Sequence, residues 1–191
     1  MIEPKLLAQL KQDYSSHEST RRQIISASNA ILFEAKKSIF ALQKTDLKLA
    51  AQKLQAIEKS LQDLAKRFGQ DRLNQEGAYK AAAEEYLEGK TFYLIISKKS
   101  ITPSTDLNLD YEAYLGGICD LIGELVRYAT NRAAQGKFSE VAKIKKIADD
   151  IMAQLIDFDL TGYLRTKYDQ ARGHLRKLEQ MAYEIKLQTK K

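Results

Sequence analysis

At 191 residues with a formal net charge of +6, the chain is long enough to bury a sizeable core as one domain over residues 1–191. Its single cysteine, Cys119, excludes an internal disulfide, and no run of about 18 uninterrupted apolar residues offers a transmembrane helix. The opening Met1-Ile2-Glu3-Pro4-Lys5 lacks the apolar core of a signal peptide, so a reducing, cytoplasmic setting is expected.

Two prolines, nine glycines and no tryptophan, with abundant Ala, Leu, Lys, Glu and Gln, favour helix throughout. In chain order, the first helix is expected over residues 3–43. It starts amphipathically at Leu6, Leu7 and Leu10, then carries Ile24, Ile25, Ser28, Ile31, Leu32, Ala35, Ile39, Phe40 and Leu42 at helical spacing. A second helix follows Thr45 as N-cap, with Leu47, Ala50, Ala51, Leu54, Ile57, Leu61 and Leu64 on its buried face, and stops at Arg67-Phe68-Gly69. A third should start between Asn74 and Gly77 and run to Ser97. The proline-containing stretch Ser100–Asp106 reads as a loop. A fourth spans Asp110 to Ala134 and ends before Gly136. Ser139 can cap a fifth over residues 140–156, and Gly162 marks the break before a long last helix to Leu187. No repeat, low-complexity tract or strand-like alternation interrupts this pattern, so a single antiparallel all-α bundle is the simplest architecture. The long first helix leaves room for oligomerisation, although periodicity gives no subunit number.

Charge is unevenly distributed. Residues 73–136 carry a net −3 between flanks of +5 and +4. Within that acidic middle, Glu85 and Glu88 are three apart on the third helix, and Asp120 and Glu124 are four apart on the fourth. Each pair shares a helix face. The second pair lies in Ile118-Cys119-Asp120-Leu121-Ile122-Gly123-Glu124-Leu125-Val126, where ionised acids are costly unless neutralised. Glu85 and Glu88 stand beside Ala78, Ala81 and Gly89, and Asp120 and Glu124 beside Ala113 and Gly117, small residues that let a second backbone or a ligand come close. An all-oxygen donor set suits Mg²⁺ or Mn²⁺ better than zinc or iron, with Asp120 and Glu124 as principal ligands and Glu85 and Glu88 completing the site. Such an ion lowers the pKa of bound water and stabilises charge on a phosphoryl group. The ordinary alternative is four solvated helix acids, with Glu124 paired to Arg127 one turn on.

Other chemistries find little support. His17 and His174 are far apart and neither sits in a Glu-x-x-His arrangement, which argues against a di-iron bundle or a helical zinc protease. Leu115-Gly116-Gly117-Ile118 matches neither a phosphate-binding loop nor a dinucleotide fingerprint. Cys119 has no histidine nearby to activate it, and the tyrosines at helical spacing read as core before base-stacking platforms.

Four stretches carry a family resemblance: Glu34-Ala-Lys-Lys-Ser-Ile-Phe-Ala-Leu-Gln43, Glu84-Glu-Tyr-Leu-Glu-Gly89, Tyr114-Leu-Gly-Gly-Ile-Cys-Asp-Leu-Ile-Gly-Glu-Leu-Val-Arg127 and Tyr168-Asp-Gln-Ala-Arg-Gly-His-Leu-Arg-Lys-Leu-Glu-Gln-Met-Ala-Tyr183. In them the chain resembles the translin/TRAX family, whose members are all-α bundles of about seven helices that assemble into RNA-binding oligomers, typically hollow octamers. The TRAX-type subunit is a metal-dependent endoribonuclease and the translin type mainly binds nucleic acid. Acids at the positions of Glu85, Glu88, Asp120 and Glu124 distinguish them, so the resemblance implies a TRAX-like catalytic set. The chain lacks the long N-terminal extension of eukaryotic members, which points to a compact prokaryotic form acting as a homo-oligomer.

The resulting expectation is a Mg²⁺-dependent endoribonuclease, with Mn²⁺ as an alternate ion, that cleaves single-stranded or loosely structured RNA inside a homo-octamer. The alternative is a non-catalytic oligomer that binds RNA or single-stranded DNA. Arg21, Arg22, Lys36, Lys37, Lys90 and Arg127 are the candidate phosphate contacts; each could equally be a solvated helix charge, or for Arg127 a structural ion pair.

Overall fold

The computed structural model of the chain describes residues 2–102 and 107–188. These residues form seven helices and no strand: α1 (Pro4–Gln43), α2 (Leu47–Phe68), α3 (Gln70–Leu73), α4 (Gly77–Ile96), α5 (Tyr111–Ala134), α6 (Phe138–Leu155) and α7 (Gly162–Gln188). The expected loop over 100–106 falls largely on residues 103–106, outside the described residues; on either side of them the chain is non-helical. No helix among the described residues is long and apolar enough to cross a membrane.

α1 begins with Pro4 in its first turn, where a missing N–H costs nothing, and at 40 residues it extends about 60 Å. Only its second half is packed. Ile24, Ser28, Ile31, Ala35, Ser38, Ile39 and Leu42 are buried at helical spacing, whereas Leu6, Leu7, Leu10 and Tyr14 are exposed. Phe40, expected on the buried face, is 51% exposed: it sits at the flank of the Ile39–Leu42 stripe and carries the Lys44 ammonium 4.5 Å above its ring.

The start of α2 differs from expectation by one residue. Thr45 takes the left-handed conformation (φ 62°) that turns the chain, and Asp46 caps the helix by accepting from the Leu49 N–H at 3.0 Å. Gly69 ends α2 as expected, with φ 79° and its N–H donated to the Ala65 carbonyl. The single turn of α3 was not legible, since four residues show no period; its role is to insert Leu73, fully buried, beneath α2.

Helix α4 is the axis of the fold, packing against α1, α2 and α5. Its expected apolar face of Tyr79, Ala82, Ala83, Tyr86, Leu87 and Leu94 is buried throughout, and so are Glu88, Gly89, Thr91 and Phe92 on its other side. Close approach depends on glycine. A Cβ on Gly89 would stand 2.9 Å from Ser38 Oγ of α1, and one on Gly117 of α5 would stand 2.8 Å from the Glu84 carbonyl oxygen and 3.0 Å from the Glu88 nitrogen of α4. α5 is capped by Asp110, which accepts from the Ala113 N–H at 2.9 Å, and sinks Leu121, Ile122 and Leu125 completely.

Gly136 and Gly162, both at positive φ, make the turns into α6 and α7. Ser139 is not the cap expected of it. Lys137 holds that position without a side-chain bond, because the turn at Gly136 sets the helix start two residues earlier. Apolar residues of α1, α2, α4 and the start of α5 form one buried cluster, and those of α5, α6 and α7 with the end of α1 form a second. Cys119 belongs to the second cluster, and burial first, then the Asp120 charge, pushes its thiol up to about 11.

Candidate active site

The two acid pairs come together where α4 and α5 run face to face. Gly117 sets that distance, and residues from α1 and α7 close the remaining sides: Lys36 and Gln43 from α1, Lys167 and Tyr163 from α7. Glu88 lies deepest, 8% exposed, and among the described residues no hydrogen-bond donor reaches its carboxylate. Burial, and then repulsion from Glu85, Asp120 and Glu124, pushes it up to about 9. Glu85 is raised as well, chiefly by burial; Lys36 works against this, and Asp120 and Glu124 add to it. All four carboxylates therefore occupy one electrostatic neighbourhood.

Asp120 and Glu124 are each held by a neighbour. Lys167 Nζ donates to Asp120 Oδ2 and stands 2.7 Å from Glu84 Oε1. Gln43 Nε2 donates to both Glu124 Oε2 (2.7 Å) and the Glu124 carbonyl (2.9 Å), while Asn131 Nδ2 donates to Gln43 Oε1 (3.2 Å). Arg127 Nη1 lies 3.6 Å from Glu124 Oε2, the one-turn ion pair of the ordinary alternative, with the guanidinium half in solvent. Burial opposes the Lys167 charge, but its bonds to Asp120, Glu84 and Tyr163 outweigh that, and its pKa is raised.

The donor chemistry fits a hard divalent cation: carboxylate oxygens, a buried Glu88 without a donor, and an Asp120 whose Oδ1 is left without a hydrogen bond among the described residues. The arrangement is not yet that of ligands. Among the described residues no three acid, histidine or cysteine side chains stand in metal-ligating geometry, with Asp120 turned to Lys167 and Glu124 to Gln43. His17 stands 3.9 Å from Glu18 on the exposed part of α1, and His174 packs over Gly123; neither takes part.

Several of the candidate phosphate contacts are ion-paired within the fold. Arg21 pairs with Glu76 and Glu18, Lys37 with Glu34 at 2.7 Å, and Lys90 with Glu58 at 2.6 Å, so these charges are already matched within the fold. Arg22 is exposed, and Lys36 is exposed and acts on Glu85. Gln43, Glu84, Tyr163 and Lys167 were missed by sequence reasoning. Gln43 and Glu84 end or begin stretches that carry the family resemblance, and Lys167 immediately precedes one, but nothing in a linear pattern shows a lysine meeting an aspartate 47 positions away.

The family model of the translin family matches residues 19–189. An uncharacterised protein of Methanocaldococcus jannaschii is 31% identical over 98 residues; the match covers 49% of this chain and 44% of that relative, so the chain spans less than half the relative's length. Among solved structures, apo-NeC3PO matches with a TM-score of 0.79 at 24% identity, covering 96% of this chain and 98% of the other. AfC3PO matches with a TM-score of 0.82 at 22% identity, covering 95% and 97%, and the AfC3PO–duplex RNA complex does so with the same score and identity, covering 95% and 96%. At such identities the structural likeness speaks for the all-helical fold. The sequence match over residues 19–189 goes further: this chain belongs to the translin family.

Proposed function

We propose that the protein is a divalent-metal-dependent endoribonuclease, with Asp120 and Glu124 as principal ligands and Glu85 and Glu88 completing the set. The observation that carries this reading is the buried, donorless Glu88 facing three further carboxylates. Such a group is unstable as an anion without a compensating cation. When bound, Mg²⁺ or Mn²⁺ supplies charge stabilisation at a phosphoryl group and a more acidic water. Glu88, at the closed end, fixes the depth of the site. In this reading Glu85, half-buried beside Lys36, accepts the proton of an attacking water, and Lys36 and Arg22 offer exposed charge to the RNA backbone.

The solved AfC3PO complex with duplex RNA supports RNA as the ligand class, and the family membership supports an oligomer. The substrate proposed is single-stranded or loosely structured RNA, enclosed in a homo-oligomer, with an octamer as the specific assembly. Five exposed apolar side chains at the start of the chain, Ile2, Leu6, Leu7, Leu10 and Tyr14, support burial of that segment against a neighbouring copy.

One observation favours a second reading, a non-catalytic nucleic-acid-binding oligomer: Asp120 and Glu124 already have partners within the chain. Cleavage of single-stranded and duplex RNA with Mg²⁺, Mn²⁺ or EDTA, for wild type, Asp120→Ala and Glu124→Ala, separates the two. We expect metal-dependent cleavage reduced at least about a hundredfold in both variants, with RNA binding retained. Binding without turnover under either ion would establish the second reading.

A further inference from the structure

Glu84 stands next to Glu85 in sequence and, like it, lies within reach of the Lys167 charge. Its carboxylate lies over the backbone of α5 in the space a side chain at Gly116 would fill: a Cβ there would be 2.1 Å from Glu84 Oε2. The Tyr163 hydroxyl, at the start of α7, donates to both its oxygens (2.8 and 3.0 Å). Lys167, one turn further along α7, sets its ammonium 2.7 Å from Glu84 Oε1, over the Tyr163 ring at 5.3 Å, and donates to Asp120 Oδ2. Lys167 and Glu84 are both mostly buried, so this arrangement is less screened than a surface pair.

We propose that Lys167, clamped by Glu84 and Tyr163, is a positioning residue that fixes Asp120 through Oδ2 and presents Oδ1 to the divalent cation. This rests on the metal-dependent reading of the site. A bare lysine beside a metal ligand would repel the ion. Here Glu84 offsets its charge at 2.7 Å, so what Asp120 receives is mainly an oriented hydrogen bond, the usual task of groups that hold a ligating carboxylate from behind. Labour is then divided among five neighbouring acids: Glu84 anchors Lys167, and Glu85, Glu88, Asp120 and Glu124 would hold the ion.

The test is Mn²⁺ binding by electron paramagnetic resonance, alongside kcat and KM for RNA, on wild type, Lys167→Met, Glu84→Gln, Tyr163→Phe and, as a control from the same helix, the exposed Arg165→Ala. Expected are a Mn²⁺ Kd raised about tenfold or more in Lys167→Met, smaller increases in the same direction in Glu84→Gln and Tyr163→Phe, and no change in Arg165→Ala. kcat at a fixed, subsaturating Mn²⁺ concentration should fall as Kd rises, while KM for RNA stays within about twofold. Unchanged or tighter Mn²⁺ binding in Lys167→Met, with wild type binding the ion and cleaving RNA, overturns this proposal and leaves the nuclease reading standing. Wild type that neither binds Mn²⁺ nor cleaves overturns both. Should Lys167→Met fail to fold, Tyr163→Phe decides, since it removes only one hydroxyl from a mostly exposed ring; unchanged Kd there overturns the clamp.

Discussion

Glu88 shows how much one side chain can report about a site. Its folded pKa of about 9 lies well above the ordinary carboxylate value of 4.5, with burial as the larger cause and the three neighbouring acids adding to it. Between those two values the folded chain keeps a proton that the unfolded chain has released. Stability is therefore full below about pH 4.5 and declines as pH rises towards 9, by up to about 1.4 kcal/mol per pH unit from this group alone. Thermal unfolding in EDTA should show a midpoint that falls from pH 5 to pH 8.5. Glu88→Gln should flatten that slope and raise the midpoint at pH 8, because the neutral amide removes the buried charge. An equally steep slope in Glu88→Gln would mean that other groups set the pH response. A divalent ion competes with the same proton, so apparent Mn²⁺ affinity in wild type should rise over the same interval.

At the scale of helices, the α4–α5 contact decides whether the acids meet, and glycine sets it. Gly117→Ala would press a methyl against the Glu84 carbonyl, the Glu88 nitrogen and the Leu87 Cβ, all within 3.1 Å. Backbone at that distance cannot swing aside, so we expect a loss of about 1–3 kcal/mol by denaturant titration. At Gly116 the nearest atoms to an added methyl all belong to the Glu84 side chain, which can rotate away; the cost of Gly116→Ala should appear in Mn²⁺ affinity more than in stability. Gly173→Ala, in α7 with nothing within 4 Å of the added carbon, should stabilise by about 0.5–1 kcal/mol through helix propensity. The same elements show why the sequence was readable to the depth it was. Periodic stripes such as Leu54-Ile57-Leu61-Leu64 and Tyr79-Ala82-Ala83-Tyr86 announce long helices and their buried faces, and spacing put each acid pair on one face. The exact caps were not legible, because Thr45 and Asp46 are both capping types in adjacent positions and the left-handed turn at Thr45 selects Asp46. Nor were Gln43 and Lys167 as partners of Glu124 and Asp120, since those bonds depend on how helices cross rather than on spacing within one.

The whole molecule is asymmetric in a way that points outward. The side chains of α1 are all exposed through His17, so about 14 residues, some 20 Å of helix, stand clear of the bundle before Arg21 meets Glu76. An isolated helical arm of that length is only marginally stable in water, and it displays Leu6, Leu7, Leu10 and Tyr14 within about three turns. A second copy that covers these side chains would supply the burial that the chain alone does not, and would tie assembly to the helix that also contributes Lys36 and Gln43 to the site. Replacing Leu6, Leu7 and Leu10 together with Ser should therefore lower the assembly mass seen by size exclusion with light scattering. Wild type should run at a multiple of the 21.7 kDa chain, about eight chains for the octamer proposed here. The packed part of the fold should survive, with thermal unfolding still cooperative and the near-ultraviolet tyrosine signal retained, because no residue before Ile24 belongs to either buried cluster. An unchanged mass in the triple variant would assign the interface elsewhere. A loss of mass accompanied by loss of cleavage at constant Mn²⁺ affinity would show that the oligomer acts by enclosing RNA and not by building the metal site.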